Sequence, residues 1–351
     1  MTATRRTFFC LGTALIASAG ASATDKKVTK PLFAADDPIR LTITAPLADL
    51  ASSNGKSKKP APGTLGVVAP TPEQLAIAVS TRGVTRGDRD ICPFPPLRID
   101  FPQKPADGSL FKGQSSLKLV THCRPDAVFQ DYVRLEYAAY RMYALLSPDS
   151  FGVRLALVDY VNKNGRKLAT KPAFFIEDVK DVARRNSDKR LKIRARIASA
   201  ALDPSAAARF AMFEYMIGNL DWSMTAASAG TPCCHNSRLI ATAGMTRGLT
   251  PVPYDFDFSG LVDAPYATPP QGFQQPNVRV RFYQGICAHN EAARAAAAEF
   301  LARRAAITGV LDAVPDLGTG RRDKAKRYLD AFFEQIGTPG GVTAVLKTCR
   351  G

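Results

Sequence analysis

Two acidic residues near the end of a predicted strand offer the clearest chemistry in the sequence. Asp255 and Asp257 alternate with apolar residues in the stretch 250–258, TPVPYDFDF. Because successive side chains of a strand point to opposite faces, the two carboxylates would share one face, about 7 Å apart. Such a pair suits Mg²⁺, which prefers hard oxygen ligands and keeps water or phosphate oxygens in its other positions. The same pair could instead cap a loop or hold a structural cation.

A polar loop upstream adds a third carboxylate and two amides. It follows a predicted helix over 203–217, which has Asp203 as N-cap, Pro204 at its first position and Gly218 at its exit. The loop carries Asn219 and Asp221 directly after the helix, and Asn236 lies further on. Either asparagine could supply an amide beside the carboxylates.

The preceding half of the chain supplies a lysine and two glutamates. Lys118 lies on a predicted strand, and Glu136 lies on the helix predicted over 126–146. A strand lysine followed by a helix glutamate is the pair that positions nucleotide phosphates in protein kinases. Each residue alone is also ordinary for an edge strand or a helix surface. Glu177 closes a later predicted strand, where a hinge between two lobes would pass.

Together these residue types indicate phosphoryl transfer. That reaction depends mainly on positioning and on neutralising charge, so its site needs carboxylates, an amide and a lysine rather than a covalent nucleophile. The chain presents them in the order Lys118, Glu136, Asp221, Asn236, Asp255 and Asp257.

These segments resemble the spore coat protein H (CotH) family of atypical kinases and, more distantly, HipA-type kinases. The resemblance covers roughly residues 75–262; it rests on Arg82-Gly83, the strand around Lys118, the helix with Glu136, the segment 213–221, His235-Asn236 and the motif PYDFD at 253–257. It implies an α+β, two-lobed protein-kinase-like fold, with an antiparallel β-rich N-terminal lobe and a mainly helical C-terminal lobe. No Gly-x-Gly-x-x-Gly phosphate loop occurs in the N-terminal half, and residues 82–87, RGVTRG, are the nearest substitute.

The resemblance also implies ATP and Mg²⁺, or Mn²⁺, as cofactors. Asp221 would be the catalytic aspartate that receives or orients the acceptor hydroxyl, with Asn219 beside it. The implied nucleotide-binding residues are Lys118, which would contact the phosphates, and Glu136, which would orient it. Glu177, at the predicted hinge, is a further candidate for nucleotide binding. The implied metal ligands are Asn236, Asp255 and Asp257, with Asp255 favoured over Asp257.

Composition and these motifs also predict an export signal and a division of the remaining chain into two regions. Residues 1–23 have the pattern of an export signal, with paired arginines at 5 and 6, an apolar run over 10–19 and a small-residue cleavage site at 21–23. The paired arginines are typical of a twin-arginine signal. The remainder divides into a β-rich region with one long helix, 24–178, and a helical region with the catalytic loop and metal-binding strand, 179–351. We therefore expect an exported protein, either periplasmic or secreted.

Six cysteines remain after the predicted signal, an even number that indicates disulfides in an exported protein. Cys92 and Cys123 flank one β-rich stretch and are predicted to pair. A thiolate metal site is disfavoured because the chain has no Cys-x-x-Cys motif and only scattered histidines.

The 351-residue chain carries 47 Lys and Arg against 31 Asp and Glu, a formal net charge of +16. This balance favours anionic partners such as nucleotides, acidic proteins or lipid head groups. No nucleic-acid-binding motif accompanies the charge, so a solvated basic surface is the plainer interpretation. The predicted partners are a nucleotide and a protein acceptor, which is either an acidic protein or the chain itself.

Two other functions fit the same residues. One is an exported pseudokinase or binding module that keeps the nucleotide without turnover, and the other is a transferase that moves AMP instead of phosphate. A hydrolase is a weaker hypothesis, because Cys233-Cys234-His235 is contiguous rather than arranged as a nucleophile and its base.

Overall fold

The computed structural model describes residues 1, 29–53, 59–227 and 231–351. Apart from Met1, the predicted export signal lies outside the described residues. The predictions for residues 24–28 lie outside them as well.

Seven strands of the described chain close into a barrel in the order β1-β2-β3-β4-β5-β7-β6. Neighbouring strands are antiparallel except at the closure, where β1 pairs with β6 in parallel. The strands are β1 Ile39–Ala45, β2 Ala61–Ala69, β3 Glu73–Thr81, β4 Leu97–Asp100, β5 Ser116–Val120, β6 Val153–Asn162 and β7 Lys167–Ile176.

The barrel encloses its own apolar core because its strands alternate buried and more exposed residues. In β1, Ile39, Leu41 and Ile43 are at most 1% exposed, while the residues between them face outward. Leu119 and Phe175 come from paired strands on the other side of the barrel and are fully buried in the same core.

The closed barrel corrects the predicted fold class. The expectation of a two-lobed protein-kinase-like fold with an antiparallel β-rich lobe is wrong, because seven strands form a closed mixed barrel accompanied by eight helices. The decisive contact is the parallel pairing of Ile39 with Ala156, residues more than a hundred positions apart. Alternation within each strand predicts the strands themselves, but it carries no information on which strands meet to close a sheet.

The described helices lie outside the barrel. They are α1 Leu47–Ser52, α2 Ala127–Leu146, α3 Val179–Arg185, α4 Pro204–Ile217, α5 Asn290–Ala302, α6 Arg304–Ala313, α7 Thr319–Ile336 and α8 Pro339–Leu346. A small sheet beside them has the order β10-β9-β8, with β8 Lys189–Arg190, β9 Ser237–Ala241 and β10 Thr250–Pro253.

Helix α2 joins the barrel to the helical region. Its Tyr140 ring lies 5.7 Å from the ring of Phe174 on β7 and 4.6 Å from that of Phe256 in the helical region. Both faces of the helix are therefore buried, and its buried residues belong to the larger core that the other long helices share. This packing fixes the position of Glu136, which is 1% exposed.

Helix α4 begins and ends as the sequence predicts. The Asp203 carboxylate accepts a hydrogen bond from the Ala206 N–H at 2.7 Å, and Pro204 occupies the first helical position. Gly218 ends the helix in the left-handed conformation, at φ 68°. A Cβ there would lie 2.0 Å from the Tyr328 hydroxyl, so glycine is required both by backbone conformation and by space. This exit directs the chain into the loop with Asp221.

The strand predicted over 250–258 is shorter than expected. Strand β10 ends at Pro253, and Asp255 adopts φ 69°, which breaks the extended conformation. Asp255 and Asp257 therefore occupy a turn instead of one face of a strand. The alternation of apolar and acidic residues is real, but it reflects burial of Phe256 (0% exposed) beside a turn.

Three disulfides occur among the described residues. The predicted Cys92–Cys123 bond is confirmed, and the other two join Cys233 to Cys234 and Cys287 to Cys349. Disulfides persist in oxidising compartments, so the bonds are compatible with an exported protein. Across the described ranges, no helix combines the length and apolar character needed to span a membrane.

Candidate functional site

A cleft with a cavity of about 990 Å³ lies between the barrel and the helical region. The barrel side contributes segments around β3, β4 and β5, and the helical side contributes the β8 segment, the loop after α4 and the turn after β10. The charged residues that line it are Arg82, Arg86, Arg98, Lys118, Arg190, Lys192, Arg194, Arg238, Asp221, Asp255 and Asp257.

The barrel wall of the cleft is cationic. Its charged lining residues are Arg82, Arg86, Arg98 and Lys118, and none of the described lining residues from the barrel is a carboxylate. Lys118 lies on β5 between β4 and β7, so its backbone is fixed from both sides. Burial, reinforced by the nearby cations Arg82 and Arg238, lowers the pKa of Lys118 to about 7. An arriving anion would restore the proton.

The opposite wall carries the Asp221 carboxylate, which is held at both oxygens. His235 Nε2 lies 2.7 Å from Asp221 Oδ1, and Asn236 Nδ2 donates to Asp221 Oδ2 at 3.0 Å. The Asn236 amide also donates to the Asp221 backbone carbonyl at 2.7 Å. The hydrogen bond with Asp221 raises the pKa of His235 above its usual value. Asp221 is thus oriented by two side chains while it remains partly exposed to the cleft.

Asn219 stabilises the backbone of the loop that carries this carboxylate. Its Oδ1 accepts a hydrogen bond from the Asp221 N–H at 3.1 Å, and its carbonyl accepts one from Trp222 Nε1 at 3.0 Å. Asn219 is 1% exposed and does not line the cleft. Its contacts therefore set the shape of the loop, while Asn236 is the amide that faces the carboxylate.

Three carboxylates gather around one arginine at the floor of the cleft. Glu136, Asp255 and Asp257 each offer an oxygen within 4.8 Å of the others. Arg86 makes ion pairs with all three, at 2.9 Å to Glu136, 3.4 Å to Asp255 and 3.0 Å to Asp257. The guanidinium neutralises part of a negative cluster that would otherwise be costly to bury.

Burial dominates the electrostatics of this cluster. It raises the pKa of Glu136, and it raises the pKa of Asp257 to about 8, with Arg86 opposing the rise in both cases. Asp255 differs from its neighbours because its side chain is 33% exposed. It is the member of the cluster most open to the cleft.

The donor set fits a hard divalent cation. Carboxylate oxygens within 4.8 Å of one another are the ligand type that Mg²⁺ and Mn²⁺ prefer. Arg86 already places positive charge beside the three carboxylates. A metal cation would therefore bind at Asp255, the member of the cluster that is most exposed to the cleft. Asp257 and Asn236 are the neighbouring oxygen donors that line the cleft.

The structure brings most of the predicted site residues together. The predicted residues that line the cleft are Lys118, Asp221, Asn236, Asp255 and Asp257. Glu136 lies behind them and forms an ion pair with Arg86 instead of with its predicted partner Lys118. Lys118 lies over the Tyr254 ring, with its Nζ 4.8 Å from the ring centroid.

Glu177 lies elsewhere. Its carboxylate accepts a hydrogen bond from the Gly152 N–H at 2.8 Å and lies 3.4 Å from Arg185. It lines a separate cavity beside Phe33 and Arg141. The predicted hinge position does not bring this side chain to the cleft.

Sequence reasoning missed Arg86 and His235 as site residues. Arg86 belongs to the stretch RGVTRG, which was interpreted as the nearest substitute for a phosphate loop. That interpretation did not predict a buried arginine side chain. Its 3₁₀ turn, Thr85–Gly87, places the side chain under the cleft, where it is 7% exposed. The signal available in the sequence for His235 was its position directly before Asn236.

Comparison with known proteins leaves the resemblance untested. No protein-family model matches the chain, and no curated protein matches it significantly in sequence. The cleft is therefore the feature from which a function can be inferred.

Proposed function

We propose that this protein is an exported phosphotransferase that transfers the γ-phosphate of ATP, with Mg²⁺ or Mn²⁺, to a serine or threonine hydroxyl of a protein. The observation that carries the proposal is the convergence of Lys118, Asp221 and Asp255 on one cleft. They come from three distant segments of the chain. Such a cleft combines a phosphate-binding cation, a proton acceptor and a metal ligand, which are the groups that phosphoryl transfer needs.

The barrel wall would bind the triphosphate. Lys118 in the middle of β5 and Arg82 directly after β3 both line the cleft, and neither has an ion-pair partner within the described chain. Burial makes Lys118 easier to deprotonate than an ordinary lysine. A phosphate group bound beside the Lys118 amine would favour its protonated, charged form.

Asp221 would act on the acceptor. Its oxygens already accept hydrogen bonds from Asn236 and contact His235, which fixes the direction of the carboxylate. The acceptor hydroxyl oxygen forms a bond to the γ-phosphorus, the bond from that phosphorus to the β-phosphate oxygen breaks, and ADP leaves. The hydroxyl proton passes to Asp221.

Asp255 would hold the divalent cation, with Asp257 and Asn236 as further donors. When bound, the cation neutralises charge on the phosphates. Arg86 keeps the cluster compact by pairing with Glu136 behind it. The disulfides support the exported part of the proposal, since such bonds form in oxidising compartments.

A second candidate is an exported nucleotide-binding module without turnover. The favouring observation is that Arg86 pairs with every carboxylate of the acidic cluster and so already supplies it with a cation. Such a protein would bind nucleotide through the barrel wall without needing a metal.

A labelling experiment tests the proposal. Purified protein is incubated with Mg²⁺ or Mn²⁺ and γ-labelled ATP, and transfer to itself or to an added protein is measured. We expect labelling that Asp221→Asn reduces about 10²- to 10⁴-fold. The matched control is Asp107→Asn, which removes a highly exposed carboxylate outside the cleft and should leave labelling unchanged.

Other outcomes would exclude the proposal. Transfer of label from α-labelled ATP identifies an AMP transferase. Nucleotide binding without any transfer supports the binding module, and an absence of nucleotide binding removes both.

A further inference from the structure

The segment that begins at the last residue of β8 carries more positive charge than a nucleotide requires. Arg190, Lys192 and Arg194 alternate with Leu191 and Ile193. The three cations are exposed and line the cleft, whereas the two apolar residues are partly buried against the helical core. We call these three cations the basic strip.

The strip is held in an extended conformation. Leu191 N–H donates to the Leu239 carbonyl at 2.9 Å, so the segment continues the edge of the small sheet beyond β8. Further along, the Ile193 carbonyl accepts a hydrogen bond from the Cys233 N–H at 2.9 Å. In extended chain, alternate side chains are separated by about 6.6 Å. The basic strip therefore has the repeat of a β-strand.

The charge of the strip is not compensated locally. In the described ranges, no carboxylate lies within ion-pair distance of Arg190, Lys192 or Arg194. Two other arginines that line the cleft are partly engaged: Arg98 pairs with Asp100 at 2.8 Å, and Arg238 lies over the Tyr254 ring at 4.2 Å. On the helical side of the cleft, the strip is thus the part of the lining with positive charge available for an incoming ligand.

We propose that the basic strip binds an acidic, extended segment of the acceptor protein and presents its hydroxyl to Asp221. This inference rests on the proposed function and specifies its acceptor. An extended peptide with Asp or Glu at alternate positions has the same spacing as the strip, so its carboxylates can pair with successive cations. The strip and Asp221 line the same cavity. A serine or threonine within such a segment would enter the cleft from the strip side.

The test measures peptide binding separately from nucleotide binding. A labelled peptide in which Glu and Ser alternate is titrated with the whole protein, and Gln-Ser and Lys-Ser peptides of equal length serve as probes of charge. We expect the Glu-Ser peptide to bind at least about tenfold more tightly than the Gln-Ser peptide. The triple variant Arg190→Gln, Lys192→Gln, Arg194→Gln should lose about tenfold in that affinity, as expected for three exposed charge pairs.

A matched triple variant controls for net charge. Lys104→Gln, Arg247→Gln, Lys347→Gln removes three exposed cations that do not line the cleft, and it should leave peptide affinity within about twofold. ATP affinity of the strip variant, measured by calorimetry, should also stay within about twofold. The charge-conserving variant Arg190→Lys, Arg194→Lys should retain peptide binding, which separates loss of charge from loss of fold.

Several results would overturn the inference. Equal affinity for the Glu-Ser and Gln-Ser peptides would show that the strip does not recognise negative charge. Equal losses of peptide affinity in the two triple variants would show that the attraction depends on net charge and not on the strip. Tighter binding of a single-stranded oligonucleotide than of the Glu-Ser peptide assigns the strip to nucleic acid instead. If nucleotide binding fails in the parent protein while the acidic peptide still binds, the proposed function is wrong and the strip remains a peptide site.

Discussion

The two walls of the cleft differ in charge and in the way that the fold supports them. The barrel wall presents cations on or beside hydrogen-bonded strands, and Lys118 in the middle of β5 is fixed between two neighbouring strands. The helical wall presents Asp221 and Asp255 from a loop and a turn, and each depends on contacts with side chains from elsewhere. Asp255 N–H, for example, donates to the Tyr140 hydroxyl of α2 at 2.8 Å.

This difference suggests a division of labour. A rigid cationic wall suits binding of an anion whose charge stays constant, because little rearrangement is needed. A wall of oriented carboxylates suits the reacting atoms, where charge and protons move. Substitutions in the barrel wall should therefore weaken binding, and substitutions in the helical wall should slow turnover.

Among the tests that compare the two walls, the largest effect is expected at Asp255. Asp255→Asn removes a charge from the most open member of the acidic cluster, so we expect metal-dependent transfer to fall about 10³-fold, equivalent to about 4 kcal/mol. ATP affinity measured without metal should change little, since the barrel wall is intact. A comparable loss of metal-free affinity would show that the two walls do not act separately.

Lys118→Met tests the barrel wall in the same assays. Loss of a charge-assisted contact with phosphate should weaken ATP binding about 10- to 100-fold. Because burial lowers the pKa of Lys118 to about 7, the parent protein should take up about one proton on binding ATP at a pH about one unit above that value. Calorimetry in buffers of different ionisation enthalpy measures this uptake, and Lys118→Met should abolish it. Unchanged proton uptake in the variant would exclude Lys118 as the phosphate contact.

The barrel should also respond to acid through a buried histidine. His122 is 4% exposed and stacks on Phe94, with ring centroids 4.6 Å apart, and burial lowers its pKa to about 3. The unfolded state binds a proton below pH 6.5 and the folded state does not, so stability is complete above that pH and declines as pH falls towards 3. At pH 5 the loss should be about 2 kcal/mol. Denaturant unfolding of His122→Phe, which keeps a ring there, should lack this contribution.

The helical region should show the opposite, smaller response through Glu214. This residue of α4 is fully buried, and burial raises the pKa of its carboxyl well above the ordinary value. Folding favours the protonated form of this carboxyl, so its contribution to stability is complete below the unfolded-state pKa. That contribution is lost as pH rises, because the unfolded state releases the proton first. Glu214→Gln should therefore raise Tm at neutral pH by about 2 °C. A decrease at neutral pH would mean that the ionised carboxylate stabilises the fold.

The sequence predicted the local structure around the site well. The N-cap Asp203 and the exit Gly218 of α4 are where their residue types require, and α2 spans almost the predicted residues. The strand predicted through residue 258 was too long, because alternation of apolar and acidic residues does not distinguish a strand from a turn with one buried aromatic. Asp255 at φ 69° is that turn.

The site itself could be predicted only in part. Asp221 and Asn236 could be proposed because the chain presents a lysine, carboxylates and an amide in the order that phosphoryl transfer would use. Arg86 could not, since an arginine in a glycine-containing loop is usually solvated, and only packing against α2 turns it towards Glu136. Glu177 was placed at the site by its strand position, whereas its side chain turns to Gly152.

The sequence alone therefore determined local features: the two ends of α4, nearly all of α2, and the pairing of Cys92 with Cys123. These follow from interactions over a few residues, or from composition. The tertiary structure decided which strands closed the barrel, which cation paired with Glu136, and which charges faced one another across the cleft. Those outcomes depend on contacts between residues far apart in the chain, and their free energies are set by burial that exists only after the whole chain has folded.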